Sequence, residues 1–395
     1  MANILVLIVA VLMGLAGSVN AAGFRLAEQD AKATGMGNSF VAVADNASAV
    51  WYNPAAITGL EGTNVSLGTV MVIPTMEHKN TSGTTDKIKE TTHIPPHFYA
   101  TRKLNDSLSI GLGVNAPFGL STEWDKATAN TRKVATTSEV KAINANLNGA
   151  YKMSDKLSFA AGFSYVSVDA TLNKWHPALA QEITLEGDGT GIGYNAAMMY
   201  QYNDKMKFGV NYRSKVKAEL EGDIVATGVY TGAVKTELTL PDMLQIGVSH
   251  QCTDKWLFSA EADYTNWTTY RNIIIKKQSD STVVGSADVK NWKSVWAFRL
   301  GSEYKYSDTL KFRFGTFYDN NPVPEDRFET RVPDTDRMAF SLGAGWNKGN
   351  FTVDASYMYL YFFEREVDSA LASTTLYGKY NSAAHLPAIT VGYKF

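Results

Sequence analysis

His93-Ile94-Pro95-Pro96-His97 sets two imidazoles four residues apart, the spacing at which one helix face could hold zinc. The two intervening prolines forbid that helix, so the metal reading fails. No Gly-x-Ser-x-Gly nucleophile turn and no phosphate loop ending in Gly-Lys-Ser/Thr occurs in the chain. Cys252 is the single cysteine, which excludes an internal disulfide framework and Cys-rich metal sites. No enzymatic activity, metal or cofactor is therefore expected. What remains are basic side chains on apolar, alternating segments: Lys174, Lys293 and Arg299. A cation in an apolar lining can hold an anionic group, if the surrounding elements turn it inward.

Charge gives no other partner. The 37 Lys and Arg nearly cancel the 39 Asp and Glu, at formal −2, which argues against nucleic acid. Residues 1–21 read as a secretory signal peptide: Ile4 to Gly17 is apolar, and Val19-Asn20-Ala21 supplies small residues for cleavage. Its start lacks Lys and Arg, which leaves a short membrane anchor as the alternative. Beyond Ala22 there is no apolar run of about 18 residues, so no transmembrane helix is expected. A soluble secreted protein and an outer-membrane barrel both satisfy that observation.

A recurring five-residue frame separates them. Leu104-Asn-Asp-Ser-Leu108, Met153-Ser-Asp-Lys-Leu157, Tyr202-Asn-Asp-Lys-Met206, Cys252-Thr-Asp-Lys-Trp256 and Tyr306-Ser-Asp-Thr-Leu310 share one pattern. The flanks alternate with period two: Ile143, Ala145 and Leu147 against Asn144, Asn146 and Asn148, then Leu157, Phe159, Ala161 and Phe163 against small residues. The frame is a tight turn between antiparallel strands, which suits Asp and Asn because their side chains bond nearby backbone. Strands are expected near 63–77, 90–104, 107–117, 139–152, 156–173, 186–203, 205–220, 233–252, 255–272, 290–306, 309–320, 335–348, 350–365 and 380–395. Short turns alternate with long polar loops. The fold class is all-β: a transmembrane antiparallel β-barrel of about 14 strands, as bacterial outer-membrane barrels are built. A soluble multi-sheet protein would not sort its connections by length.

Residues 22–61 do not alternate. They are rich in small residues, with short helical pieces broken at Gly35, Gly37 and Pro54, and they precede a barrel spanning 62–395. A lumen of this size needs filling, so this segment is expected to be a hatch inside it.

Here the chain resembles a known family. Ala22-Gly23-Phe24, Gly35-Met-Gly-Asn-Ser-Phe40 and Tyr52-Asn53-Pro54-Ala55 are similar to the hatch of FadL-type outer-membrane transporters, which include TodX-type aromatic hydrocarbon channels. The likeness continues through Asn115 to Trp124, Asn146 to Phe163, Tyr318 to Arg327, Arg331 to Trp346 and the terminal Gly392-Tyr-Lys-Phe395. It implies passive uptake of long-chain fatty acids or similar hydrophobic compounds across the bacterial outer membrane. The alternatives are an aromatic hydrocarbon channel, a general porin or a surface adhesin.

The resemblance also implies site roles. Lys174 and Lys293 match basic positions that hold the substrate carboxylate, and Phe24 matches a hatch aromatic in the pocket. Strand parity puts Lys174 with Leu172, and Lys293 with Arg299, on the inward side; the plain alternative is that these lysines only solvate the lumen or a loop edge. A family serine is Ala116 here, which sets the head-group chemistry apart. Ala116-Pro117-Phe118-Gly119 interrupts a strand: either the strand ends at Val114, or it kinks and opens the wall sideways. Expected partners are the hydrophobic substrate, outer-membrane lipid and lipopolysaccharide, and the barrel assembly machinery through Phe395, with the protein a monomer.

Overall fold

The computed structural model describes residues 23–368 and 374–395; the expected signal peptide, residues 1–21, lies outside the described residues. The rest is a closed 14-strand antiparallel barrel. Its strands are β1 (Thr63–Val70, resuming at Ile73–Asn80), β2 (Pro96–Lys103), β3 (Leu108–Glu123), β4 (Thr137–Lys152), β5 (Leu157–Leu172), β6 (Gln181–Asn203) and β7 (Met206–Arg213, resuming at Val216–Ala226). They continue with β8 (Tyr230–Leu240, resuming at Met243–Gln251), β9 (Trp256–Thr265), β10 (Val295–Lys305), β11 (Leu310–Asp319), β12 (Arg337–Lys348), β13 (Phe351–Phe362) and β14 (Gly378–Lys394). The ring closes at β1, where Val65 lies between Tyr393 of β14 and Ala100 of β2.

Alternation explains both faces. Leu147, Phe163 and Tyr194 are cross-strand neighbours on one row, and all are more than half exposed. Such a band is stable only against lipid. Between them Asn146, Asn148 and Asn195 turn inward and close a ring of amides: Asn146 donates to Asn195 (2.9 Å), Asn195 to Asn148 (2.7 Å) and Asn148 back to Asn146 (2.7 Å).

The repeated frame forms the tight turns, and the residue before the aspartate does the bonding. Asn105 Oδ1 accepts from the backbone of Ser107 and Leu108 at 2.9 Å, and Ser307 Oγ accepts from Leu310 at 3.0 Å. Three of the aspartates instead meet a lysine three residues earlier, as in Lys152–Asp155 at 2.8 Å and Lys305–Asp308 at 2.7 Å; Asp204 and Asp254 have a glutamine there. One outer connection departs from expectation. β7 and β8 run on to a three-residue turn at Thr227-Gly228-Val229, because Leu220, Ile224, Val234 and Leu238 keep the inward apolar period among the charges read as loop.

Residues 23–61 fill the lumen as α1 (Ala31–Gly35), α2 (Ala49–Tyr52), a 3-10 turn at Pro54–Gly59 and tight bends. Glu261 Oε2 accepts from the backbone of Phe40 (2.7 Å) and Val41 (2.8 Å), and Arg213 donates to the carbonyls of Val50 and Trp51 at 3.0 and 2.6 Å. Ion pairs join hatch to wall: Arg25–Asp263 at 3.0 Å and Lys32–Glu303 at 3.5 Å. Gly37, at φ 62°, lies so near β11 that a Cβ would stand 2.8 Å from Thr316 N.

Asn53 caps the Pro54 turn through Ala55 N (3.1 Å), and its Nδ2 bridges the hatch carbonyl of Val41 (2.8 Å) to the wall carbonyl of Met198 (3.0 Å). Asn53→Ala strips these buried groups of partners, at a cost of about 1–3 kcal/mol to the local seating of the hatch. We expect raised ion conductance in planar bilayers with an intact barrel.

Candidate functional site

Phe24 stands between two cavities. Its ring is 4.6 Å from Trp267, 5.7 Å from Tyr270, 5.9 Å from Trp292 and 6.2 Å from Phe118, measured between centroids and mostly edge to face. Gly23 makes this approach possible. At φ 58° it takes a left-handed turn, and a Cβ there would stand 2.6 Å from Trp292. Above the ring, an upper pocket of about 60 Å³ is lined by Phe24, Leu120, Leu172, Leu185, Leu220, Leu238, Tyr270 and Arg331. That volume holds little beyond a water or two. On the other side lies a cavity of about 620 Å³, also bordered by Phe24, a size typical of small-molecule sites.

The larger cavity reaches the wall between β2 and β3. Their pairing runs from Lys103–Ser109 to Phe98–Val114 and stops. β3 itself continues to Glu123 paired with β4, so the strand does not end at Val114. Its register shifts there. Asn115 faces Asn144 and Phe118 faces Ala142, so Ala116 and Pro117 together oppose Ile143, which is a bulge. The edge that β2 leaves is taken by the hatch: Leu26 N donates to Pro117 O (2.8 Å), Gly119 N donates to Phe24 O (3.0 Å), and Gln29 Nε2 donates to Ala116 O (3.0 Å). Continuing the β2–β3 register would set Pro96 against Ala116 and Pro95 against Pro117. Proline carries no N–H, so both edges lack donors where they would have to zip. Ile94 and Ile143, both exposed, line the outward side of the opening.

The expected cations divide. Arg299 points inward as its parity predicts, but it is fully buried and its Nε donates to Asp263 at 3.0 Å, in the same cluster as Arg25. Lys174 lies just beyond Leu172 on a short extension (Lys174–His176) paired with β6; it is exposed and is not among the residues lining the upper pocket, as Leu172 and Arg331 are. Its partial burial, and then the Arg331 guanidinium, lower its ammonium below the usual lysine range. Lys293 is exposed and lines neither of these two cavities; β10 begins only at Val295, so strand alternation does not carry back past it, and Trp292 packs against Phe24. Sequence reasoning missed the cations that do line the pocket, Lys235 and Arg331, the latter held by Glu329 at 3.0 Å, with Glu186, Glu221 and Glu237 also in the lining. It also missed Trp267, Tyr270, Trp292 and the part played by Pro95-Pro96. Beside them, Asp334 accepts from Gly23 N at 2.9 Å, and burial pushes its carboxyl up to about 7.

These features agree with what the chain resembles. Residues 12–395 match the model of the outer membrane protein transport protein family, OMPP1/FadL/TodX. The long-chain fatty acid transport protein of Salmonella typhi is 28% identical over 387 residues, covering 86% of this chain and 87% of that protein. The crystal structure of a Pseudomonas aeruginosa FadL homologue superposes with a TM-score of 0.84 at 18% identity, over 95% of this chain and all of that one. The Ralstonia pickettii toluene transporter TbuX superposes at 0.73, also at 18% identity, over 96% and 99% of the two chains. With the match running through hatch, barrel and terminal strand, the chain belongs to the OMPP1/FadL/TodX family of outer-membrane transport proteins.

Proposed function

We propose that this barrel takes up long-chain fatty acids by passive movement, from the upper pocket past Phe24 and out sideways between β2 and β3. The observation that carries the reading is the cavity of about 620 Å³ joining the hatch to an unpaired stretch of wall. Burying about 15 methylenes at ~0.8 kcal/mol each would gain at most about 12 kcal/mol, so capture is easy and release is the difficulty. An opening lined by Ile94 and Ile143 supports release into lipid, where the tail never returns to water. Arg331, with Lys174 near it, supplies charge for a carboxylate at the upper pocket. Outer-membrane lipopolysaccharide, the assembly machinery at Phe395 and a monomeric state complete the proposed setting.

A second reading rests on the aromatic cage itself. Phe24, Phe118, Trp267, Tyr270 and Trp292 would suit a monoaromatic hydrocarbon, which needs no cation. Uptake of labelled oleate and labelled toluene, by cells lacking their own transporter, separates the two. Under the fatty-acid reading Arg331→Met lowers oleate uptake about tenfold, the worth of one lost charge-assisted contact, and spares any toluene uptake. Glu329 keeps Lys290 as partner in that variant. Lys293→Ala leaves both unchanged. Toluene uptake alone would replace the fatty acid by a hydrocarbon; uptake of neither would sink the transport reading.

A further inference from the structure

The wider cavity contains a cation that the upper pocket does not explain. Arg337 opens β12 and points inward, its guanidinium 5.5 Å from the Phe362 ring centroid. Nε and Nη2 both donate to Asp319 Oδ2, at 3.1 and 2.8 Å. Among the described residues nothing accepts from Nη1, yet Arg337 lines the cavity of about 620 Å³. The neighbouring polar groups are already engaged. Glu28 accepts from Asn38 at 2.8 Å, Asp334 accepts from Gly23 and Thr335, and Arg25 donates to Asp263 and Thr265. Much of the remaining lining is apolar, including Val72, Met76, Ile88, Leu120 and Val140, and a lysine there, Lys141, is paired with Glu139 at 2.7 Å.

We propose that Arg337 is a second head-group site, which takes the carboxylate of an amphiphile once its tail has passed Phe24. The segment from Arg331 to Arg337 lends this a geometry. Arg331 and Val332 border the upper pocket, and Val332, Pro333, Asp334 and Arg337 border the cavity at the wall. A charged head moving between the compartments thus leaves one guanidinium and meets another on the same stretch of chain. Asp319 fixes the Arg337 fork, so the free Nη1 is oriented before the anion arrives and little ordering remains to be done on binding. A neutral hydrocarbon would gain nothing from this arrangement.

The inference rests on the fatty-acid reading, and the test separates the two. Asp319→Asn with Arg337→Gln removes the cation without stranding a buried carboxylate, and Arg337→Lys keeps a charge opposite Asp319. Heat-modifiable mobility on gels confirms that each barrel folds. Cells carrying each variant are offered labelled oleate and labelled oleyl alcohol, which share a tail and differ in charge. Oleate binding to the purified proteins is followed by tryptophan fluorescence, with Trp267 and Trp292 beside the upper pocket. We expect the double variant to lose about tenfold in oleate uptake, with alcohol uptake and oleate binding near wild type, and Arg337→Lys to recover part of the loss. Equal losses for acid and alcohol would make Arg337 a structural residue only, and undiminished oleate uptake would remove the site. Failure of the wild-type protein to take up oleate would overturn the fatty-acid reading first, and the second site with it.

Discussion

Phe24→Ala should raise oleate uptake at low concentration about tenfold and weaken its saturation. The ring borders both the upper pocket and the wall cavity, so on the proposed route passage requires it to leave the cage of Trp267, Tyr270 and Trp292. Truncating a buried phenylalanine forfeits about 3–5 kcal/mol of packing, and even part of that removed from the barrier is worth an order of magnitude in rate. Phe24→Leu keeps apolar bulk and should fall between. Initial uptake rates of labelled oleate over a concentration series decide the matter. A drop to the level of cells without the protein would instead mean that the ring guides the tail.

Closing the wall should have the opposite effect. Deleting Pro117 removes the extra residue of the bulge, which restores register with β4 while keeping Phe118, Leu120 and Thr122 on the inward face. Adding Pro95→Val and Pro96→Val supplies β2 with the N–H groups it lacks, so that β2 competes with the hatch for the free edge of β3. Each bond gained contributes about 0.5–1.5 kcal/mol, so the barrel should also resist heat better. Uptake should fall more than tenfold for acid and hydrocarbon alike, with oleate binding to the purified protein retained. Unchanged uptake in a barrel shown to be zipped would move the exit elsewhere, with the periplasmic end of the lumen the obvious place to look.

Much of this was readable in residue order, and the limits have physical causes. Period-two alternation and the Asn/Ser-Asp turns locate nearly every strand, because each wall strand must show lipid one face and the lumen the other. The same rule failed at its edges. Beyond Val295 no ladder enforces alternation, so parity could not show that Trp292 packs against Phe24 while Lys293 stays exposed. Charged residues along β7 and β8 looked like loop because they stand outside on strands that extend past the apolar band. Arg331 lies in a loop that folds back into the lumen, where no periodic signal runs; Arg337 stands at the start of an expected strand, but alternation alone could not show that it borders a cavity. The prolines at 95 and 96 were weighed only as obstacles to a helix. Their meaning needed a partner, and Pro117 lies far along the chain, where only the β2–β3 register brings it opposite Pro95.

The seating of the hatch has a consequence for the envelope as a whole. Arg25 finds Asp263 only once the strands have closed around it, and removing Asp263 would leave the buried Arg25 and Arg299 without that carboxylate, at about 3–5 kcal/mol, while Lys32 is held by Asp45 of the hatch as well as by Glu303 of the wall. The hatch therefore has no inexpensive way to swing clear. A cell could display many copies of this barrel without weakening its defence against bulky antibiotics or bile salts, since a greasy tail can slip past one phenylalanine while a hydrated solute still meets a filled lumen.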